Sequence, residues 1–112
     1  MREIRWLGSS KDDLSTFPRE VKKVFGRALY DVQNGETPEI AKALPQFGSG
    51  VFELRDAFGG NAYRSIYVVK LARAIYVLHA FMKKSKSGHG IPREDIRTIE
   101  LRLKQARLQE ED

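Results

Sequence analysis

The chain reads as an α+β domain, with an N-terminal helical hairpin and a C-terminal helix packed on one face of a small antiparallel sheet. Three observations predict this. Apolar residues recur at helical spacing over residues 21–32. Three short segments within residues 51–82 are rich in Val, Ile, Tyr and Phe and are separated by turns. A proline followed by two acids, Pro92-Arg93-Glu94-Asp95, then opens a last amphipathic stretch. The expected order is β, α, α, β, β, β, α, in which helices cover an antiparallel sheet.

Each element has a local reason. Ile4 and Trp6 lie in a short β-like opening. Ser9-Ser10 before Lys11-Asp12-Asp13 supplies hydroxyl caps and first-turn acids, with Leu14 and Phe17 as the buried side. Pro18 suits the first turn of a second helix. Val21, Val24, Phe25, Ala28, Leu29 and Val32 form its apolar stripe, and Asn34-Gly35 stops it. Residues 36–50 read as loop, with Pro38, Pro45, Gly48 and Gly50. Strands are expected at 51–55, 63–71 and 74–82, joined by a turn at 56–61 and a tight connection at Ala72-Arg73. Ile96, Ile99, Leu103 and Ala106 give the last helix one apolar face, and residues 109–112 are expected to fray.

The 112 residues suit one domain, 1–112, with one core. A hydrophobic content of 41% predicts a folded chain rather than a disordered one. Zero cysteines exclude disulfides, thiol catalysis and cysteine-bound metal, and fit a reducing cytoplasm. The opening Met1-Arg2-Glu3-Ile4-Arg5-Trp6 has no apolar signal core. No apolar run approaches the roughly 20 residues that span a bilayer, so no membrane role is expected. No His, Asp or Glu cluster has metal-ligand spacing, and no cofactor is expected.

Net charge is +5, unevenly placed: +1 over residues 1–50 (8 Lys+Arg, 7 Asp+Glu) and +4 over 51–112 (12 and 8). Between Ala57 and Arg93, Arg64, Lys70, Arg73, Lys83, Lys84, Lys86 and Arg93 stand with no acid among them. Solvated faces usually mix signs, so this run points to an anion-binding surface; a basic face that serves solubility alone is the other reading.

Strand alternation sorts side chains onto two faces. Arg64, Ile66, Val68 and Lys70 oppose Tyr63, Ser65, Tyr67, Val69 and Leu71, while Val51, Glu53 and Arg55 oppose Phe52 and Leu54. In the third strand Ile75, Val77, His79 and Phe81 oppose Tyr76, Leu78, Ala80 and Met82. One face is then apolar and the other free to carry charge, with Arg55, Arg64, Lys83 and Lys84 at strand ends where they converge. His79 between Val77 and Phe81 has the pattern of a hydrogen-bonded core residue. Tyr63, Tyr67 and Tyr76 suit either base stacking or the filling of a sheet face.

Three short motifs occur in order: Val51-Phe52-Glu53-Leu54-Arg55, then Ala62-Tyr63-Arg64-Ser65-Ile66-Tyr67, then Val77-Leu78-His79-Ala80-Phe81-Met82-Lys83-Lys84-Ser85. At this spacing and chain length the sequence resembles the HigB-like branch of the RelE/ParE toxin superfamily, which includes phage-derived gene-product-49-like proteins. The resemblance spans nearly the whole chain and implies a RelE-like fold. It also implies a toxin that cleaves messenger RNA on the ribosome without a metal. The implied partners are messenger RNA, the ribosome and a small helix-turn-helix antitoxin from a neighbouring gene. The chain departs from that pattern twice. Residues 86–92 are longer and looser than the family's lysine-threonine-proline run, and the tail from Leu108 carries no Tyr or His to move a proton.

Cleavage of this kind needs the 2′-hydroxyl to attack the adjacent phosphate, with the backbone held in line and charge offset on the phosphorane. Arg64 is the first candidate for the phosphate clamp, because guanidinium grips phosphate oxygens in pairs. Arg55 is a second clamp, or pairs with Glu53 or Asp56. Lys84, with Lys83 beside it, is the candidate transition-state cation. Lys70, Arg73, Lys86, His89 and Arg93 are candidate RNA contacts. Two other readings stay open: a non-nuclease inhibitor of DNA gyrase, as in the ParE branch, and an inactive phage remnant that only binds RNA or its partner.

Overall fold

In the computed structural model, which describes residues 1–84 and 90–111, the apolar patterns above resolve into nine short elements. They run β1 (Ile4–Trp6), α1 (Ser10–Ser15), α2 (Arg19–Gln33), β2 (Ala41–Ala43), a 3-10 turn (Pro45–Phe47), β3 (Val51–Phe58), β4 (Asn61–Val68), β5 (Ile75–Lys84) and α3 (Arg93–Glu111). The strands form one sheet in the order β1-β5-β4-β3-β2. The fold is α+β, as expected, but the sheet is mixed: β1 runs parallel to β5, and the other pairs are antiparallel.

The edge strands have three residues each: β1 falls at the expected β-like opening, and β2 is an addition. β2 lies inside the segment read as loop, and Ala41 pairs with Leu54. β1 is held at the other edge by groups distant in sequence. The Arg2 guanidinium donates to the carbonyls of Val69, Leu71 and Ala74 at 2.7, 2.6 and 3.0 Å. The Leu7 backbone N–H donates to Val77 at 3.0 Å. Local propensity carries no signal for such contacts.

β3 and β4 are longer at their shared turn than the expected boundaries. Phe58 pairs with Asn61 across Gly59-Gly60, whose φ values of 59° and 79° are those of a two-residue turn with both central residues left-handed. The connection from β4 to β5 is looser than the tight Ala72-Arg73 link expected, since regular pairing stops at Val68 and resumes at Ile75.

A bulge in β5 changes which side chains share a face. Ile66 pairs with His79 but Tyr67 with Val77, so Leu78 is an extra residue. Beyond it the alternation inverts. Tyr76, Leu78 and Phe81 join one core cluster, and Ile75, Val77 and Ala80 the other. The simple alternation that placed His79 and Phe81 with Ile75 and Val77 is therefore corrected.

Helices cover both faces rather than one. Val21, Phe25, Ala28, Leu29 and Val32 of α2 pack against Leu54, Tyr63, Tyr67, Ile75 and Val77. Val24, expected in this stripe, is 38% exposed instead. On the opposite face Ile99, Leu103 and Ala106 of α3 pack against Val51, Ile66, Val68, Tyr76 and Leu78. The second face is thus apolar through its middle, with charged side chains toward its two ends.

The end of α3 does not fray at 109–111. The Tyr76 hydroxyl donates to Glu110 at 2.7 Å, and the Arg73 backbone N–H donates to the same carboxylate at 2.9 and 3.2 Å. Burial draws the Glu110 carboxyl upward. The Tyr76 hydroxyl, the backbone N–H groups of Arg73 and Ala72 and the Arg73 charge outweigh it and hold the group below its ordinary value.

Candidate active site

Residues directly opposite in antiparallel strands share a face. Arg55 pairs with Arg64, and Arg64 with Phe81, so these three form one row across β3, β4 and β5 on the α3 side. Lys83, opposite Ala62, stands two residues further along the same face. The Gly59-Gly60 turn and the β5 bulge set this row, one fixing the β3–β4 register and the other turning Phe81 and Lys83 inward.

Arg64 sits on a central strand and is 1% exposed, deeper than a surface clamp would be. A buried guanidinium needs charge compensation. Its Nη1 lies 3.5 Å from the buried Glu53 carboxylate, and its guanidinium carbon lies 5.9 Å from the centre of the Phe81 ring. Glu53 therefore pairs with Arg64, while Arg55 is exposed. Lys83 is half-buried, and its ammonium donates to the Gly90 carbonyl at 2.5 Å.

Arg55, Arg64 and Glu53 border a cleft of about 430 Å³ between β3, β4, the 39–46 segment and Gly90-Ile91, and Lys83 meets its margin through the Gly90 carbonyl. Arg55, Arg64 and Glu53 line its sheet side. Lys42, directly opposite Glu53 on β2, extends that side to the sheet edge, and Gln46 of the following turn also lines the cleft. Lys42 was missed in the sequence because its strand was read as loop. The alternation of Ile40, Lys42 and Leu44 with two alanines was the available signal. The cleft can hold an anion: Arg55 and Lys42 offer cations from two neighbouring strands, and the floor pairs a guanidinium with a carboxylate.

The remaining candidates are dispersed. Lys84 pairs with Asn61 and alternates with Lys83, so it belongs to the opposite face. Of the four cations expected to meet, Arg55 and Arg64 line the cleft, Lys83 is held at its margin by Gly90, and Lys84 is turned away. Arg93 is exposed at the start of α3, two residues past the cleft residue Ile91. Lys70 and Arg73 are exposed at the other end of the sheet, where Lys70 donates to Ser49 at 2.9 Å. Lys86 and His89 lie outside the described residues. Tyr63, Tyr67 and Tyr76 are buried and fill the sheet faces. Burial pushes the Tyr67 hydroxyl up to about 12.

His79 is bound at both ring nitrogens. Nε2 is 2.7 Å from Asp95, and Nδ1 is 3.4 Å from the Arg102 guanidinium, which also donates to the Leu78 carbonyl at 3.0 Å and to Ser9 at 3.1 Å. The ring stacks on Phe81 at 5.1 Å. It thus ties β5 to α3 behind the cleft. Among the described residues no three His, Asp or Glu side chains gather to hold a metal ion, and no helix is long and apolar enough to cross a membrane.

A family model described as phage-derived protein Gp49-like matches residues 12–104, which include β2 to β5 and most of α3. The chain belongs to the Gp49-like family. Among solved structures, this Gp49-like chain is similar to a chain of the RelBE2 toxin–antitoxin complex from Mycobacterium tuberculosis. The identity is 17% and the TM-score 0.50, over 70% of this chain and 94% of that one. No curated protein matches in sequence. The likeness shows that the Gp49-like chain has a RelE-like fold, in agreement with the resemblance seen in the motifs.

Proposed function

We propose that this Gp49-like protein is the toxin of a toxin–antitoxin pair and an endoribonuclease that cuts messenger RNA on the ribosome. The observation that carries this is the placement of Arg55 and Arg64 in one cleft, with Lys83 on the same sheet face and tied to the cleft residue Gly90, on a fold shared with a chain of a toxin–antitoxin complex. In this reading Arg55 clamps the scissile phosphate, Arg64 supplies positive potential from the floor, and Lys83 offsets charge on the phosphorane. Arg93 and Lys42 guide the flanking backbone. Lys84, on the other face, contacts RNA outside the cleft. The protein acts in the cytoplasm, and a helix-turn-helix antitoxin neutralises it.

The test maps RNA 5′ ends in a translating extract. Wild-type protein is expected to produce codon-linked cuts, and Arg55→Ala and Lys83→Ala each to reduce them by about 10²-fold, the usual loss when one transition-state charge contact is removed. Unchanged RNA with blocked DNA supercoiling would instead favour the gyrase-inhibitor reading. Intact RNA and intact supercoiling, with retained RNA binding, would leave a binding remnant.

A further inference from the structure

On the face opposite the cleft, at the β1 edge of the sheet, a groove of about 330 Å³ runs between α1, α2 and β1. Its floor is apolar: Ile4, Trp6, Leu14 and Leu29. Lys11 and Lys22 stand at its rim, and no carboxylate is among its lining residues. Tyr30, also in its wall, is 51% exposed. Tyrosine and apolar side chains with water access are typical of interface cores.

Gly26 adds an independent observation. It lies inside α2 and lines the groove. Glycine inside a helix is less favourable than alanine. A Cβ placed there meets nothing within 4 Å, and its φ is not left-handed. Neither conformation nor internal packing requires a glycine at this position. The missing side chain leaves the α2 backbone open to close approach from outside.

We infer that the groove seats an amphipathic helix of a partner protein, with aliphatic anchors on the floor and carboxylates against Lys11 and Lys22. The cationic rim selects acidic flanks and disfavours a second copy of this basic chain. Close passage over Gly26 lets the partner's backbone descend between α1 and α2. The inference does not depend on nuclease activity, since the groove shares no lining residue with the cleft.

Trp6 is the single tryptophan of the chain and lies in the groove, so its emission reports occupancy without a label. The probe is a tryptophan-free helical peptide of about four turns, with leucines on one face and glutamates flanking them. A second peptide carries lysines in place of the glutamates. Expected are a saturable blue shift with the glutamate peptide and at least tenfold weaker binding of the lysine peptide. The Lys11→Glu, Lys22→Glu double variant is expected to reverse that preference. Gly26→Leu is expected to weaken binding tenfold or more with an unfolding midpoint no lower than wild type. Gly26→Ala, which raises helix propensity while adding one methyl, controls for folding. Unchanged affinity in Gly26→Leu, or equal binding of the two peptides, overturns the inference. So does self-association of the free protein that Gly26→Leu abolishes, because the occupant would then be a second copy.

Discussion

Arg64 is held where few cations sit, 1% exposed in the central strand of a sheet covered on both faces. Removing its side chain leaves Glu53 as a buried carboxylate without that partner. Breaking one side of a buried pair is worth about 3–5 kcal/mol. Arg64→Ala is therefore expected to lower unfolding free energy by that order in urea titrations, and an Arg64→Met, Glu53→Leu double variant to recover most of it. Loss of toxicity in Arg64→Ala alone would then report folding as much as chemistry, which is why Arg55 and Lys83 are the sharper probes of the cleft. Tyr67 gives a second test. Its pKa is raised from 10.0 to about 12 by burial, so the folded state favours the neutral phenol. That contribution is complete below pH 10.0 and is lost as pH rises through about 12. Tyr67→Phe is expected to flatten the fall in stability between those values, as measured by denaturant titration across pH. The faces of Glu53, Arg55 and Arg64 were legible from alternation. The depth of Arg64 was not, because it depends on what covers the sheet.

At the scale of elements, the long stretches and the short β1 and α1 were legible, whereas β2 was read as loop. Helix α2, the three long strands and α3 each carry a period of several repeats, strong enough to stand without tertiary context. Strands β1 and β2 are three residues each and exist through partners elsewhere in the chain. The bulge at Leu78 is the costliest omission, since one extra residue sends every later side chain to the other face. It carries Phe81 and Lys83 to the cleft side and separates Lys84 from them. It also delivers His79 to Asp95 and Arg102 on α3. Asp95→Asn is expected to weaken this tie by about 1.5–3 kcal/mol, the range for a hydrogen bond to a charged group. Amide exchange should accelerate in the first turns of α3 and little elsewhere. Uniform acceleration throughout the chain would show that the tie supports the whole fold instead.

Across the whole molecule, positive charge is divided among places with different neighbours. Arg55, Arg64 and Lys83 gather at one end of the α3 face, Lys70 and Arg73 lie at the far end, and Lys11 and Lys22 border the groove. Bulk charge predicts affinity for any polyanion, whereas this division predicts a count. Each phosphate neutralised on single-stranded RNA contributes about 0.7 to the slope of log affinity against log salt. The Arg55→Ala, Lys83→Ala double variant should lower the slope by about 1.4, and Lys11→Ala, Lys22→Ala should leave it unchanged. Equal losses from both pairs would mean that RNA binds diffusely.

The parallel pairing of β1 with β5 joins residues about seventy positions apart, Ile4 with Ile75. Synthesis makes Ile4 about seventy residues before its partner strand. Until residues 75–84 emerge, the groove has no β1 wall in place, and until Gly90-Ile91 follow, the cleft lacks one side. Neither surface is complete on a nascent chain that stops short of residue 75. A protein proposed to act on the translating ribosome thus gains its groove, and then its cleft, only after most of its sheet has been made.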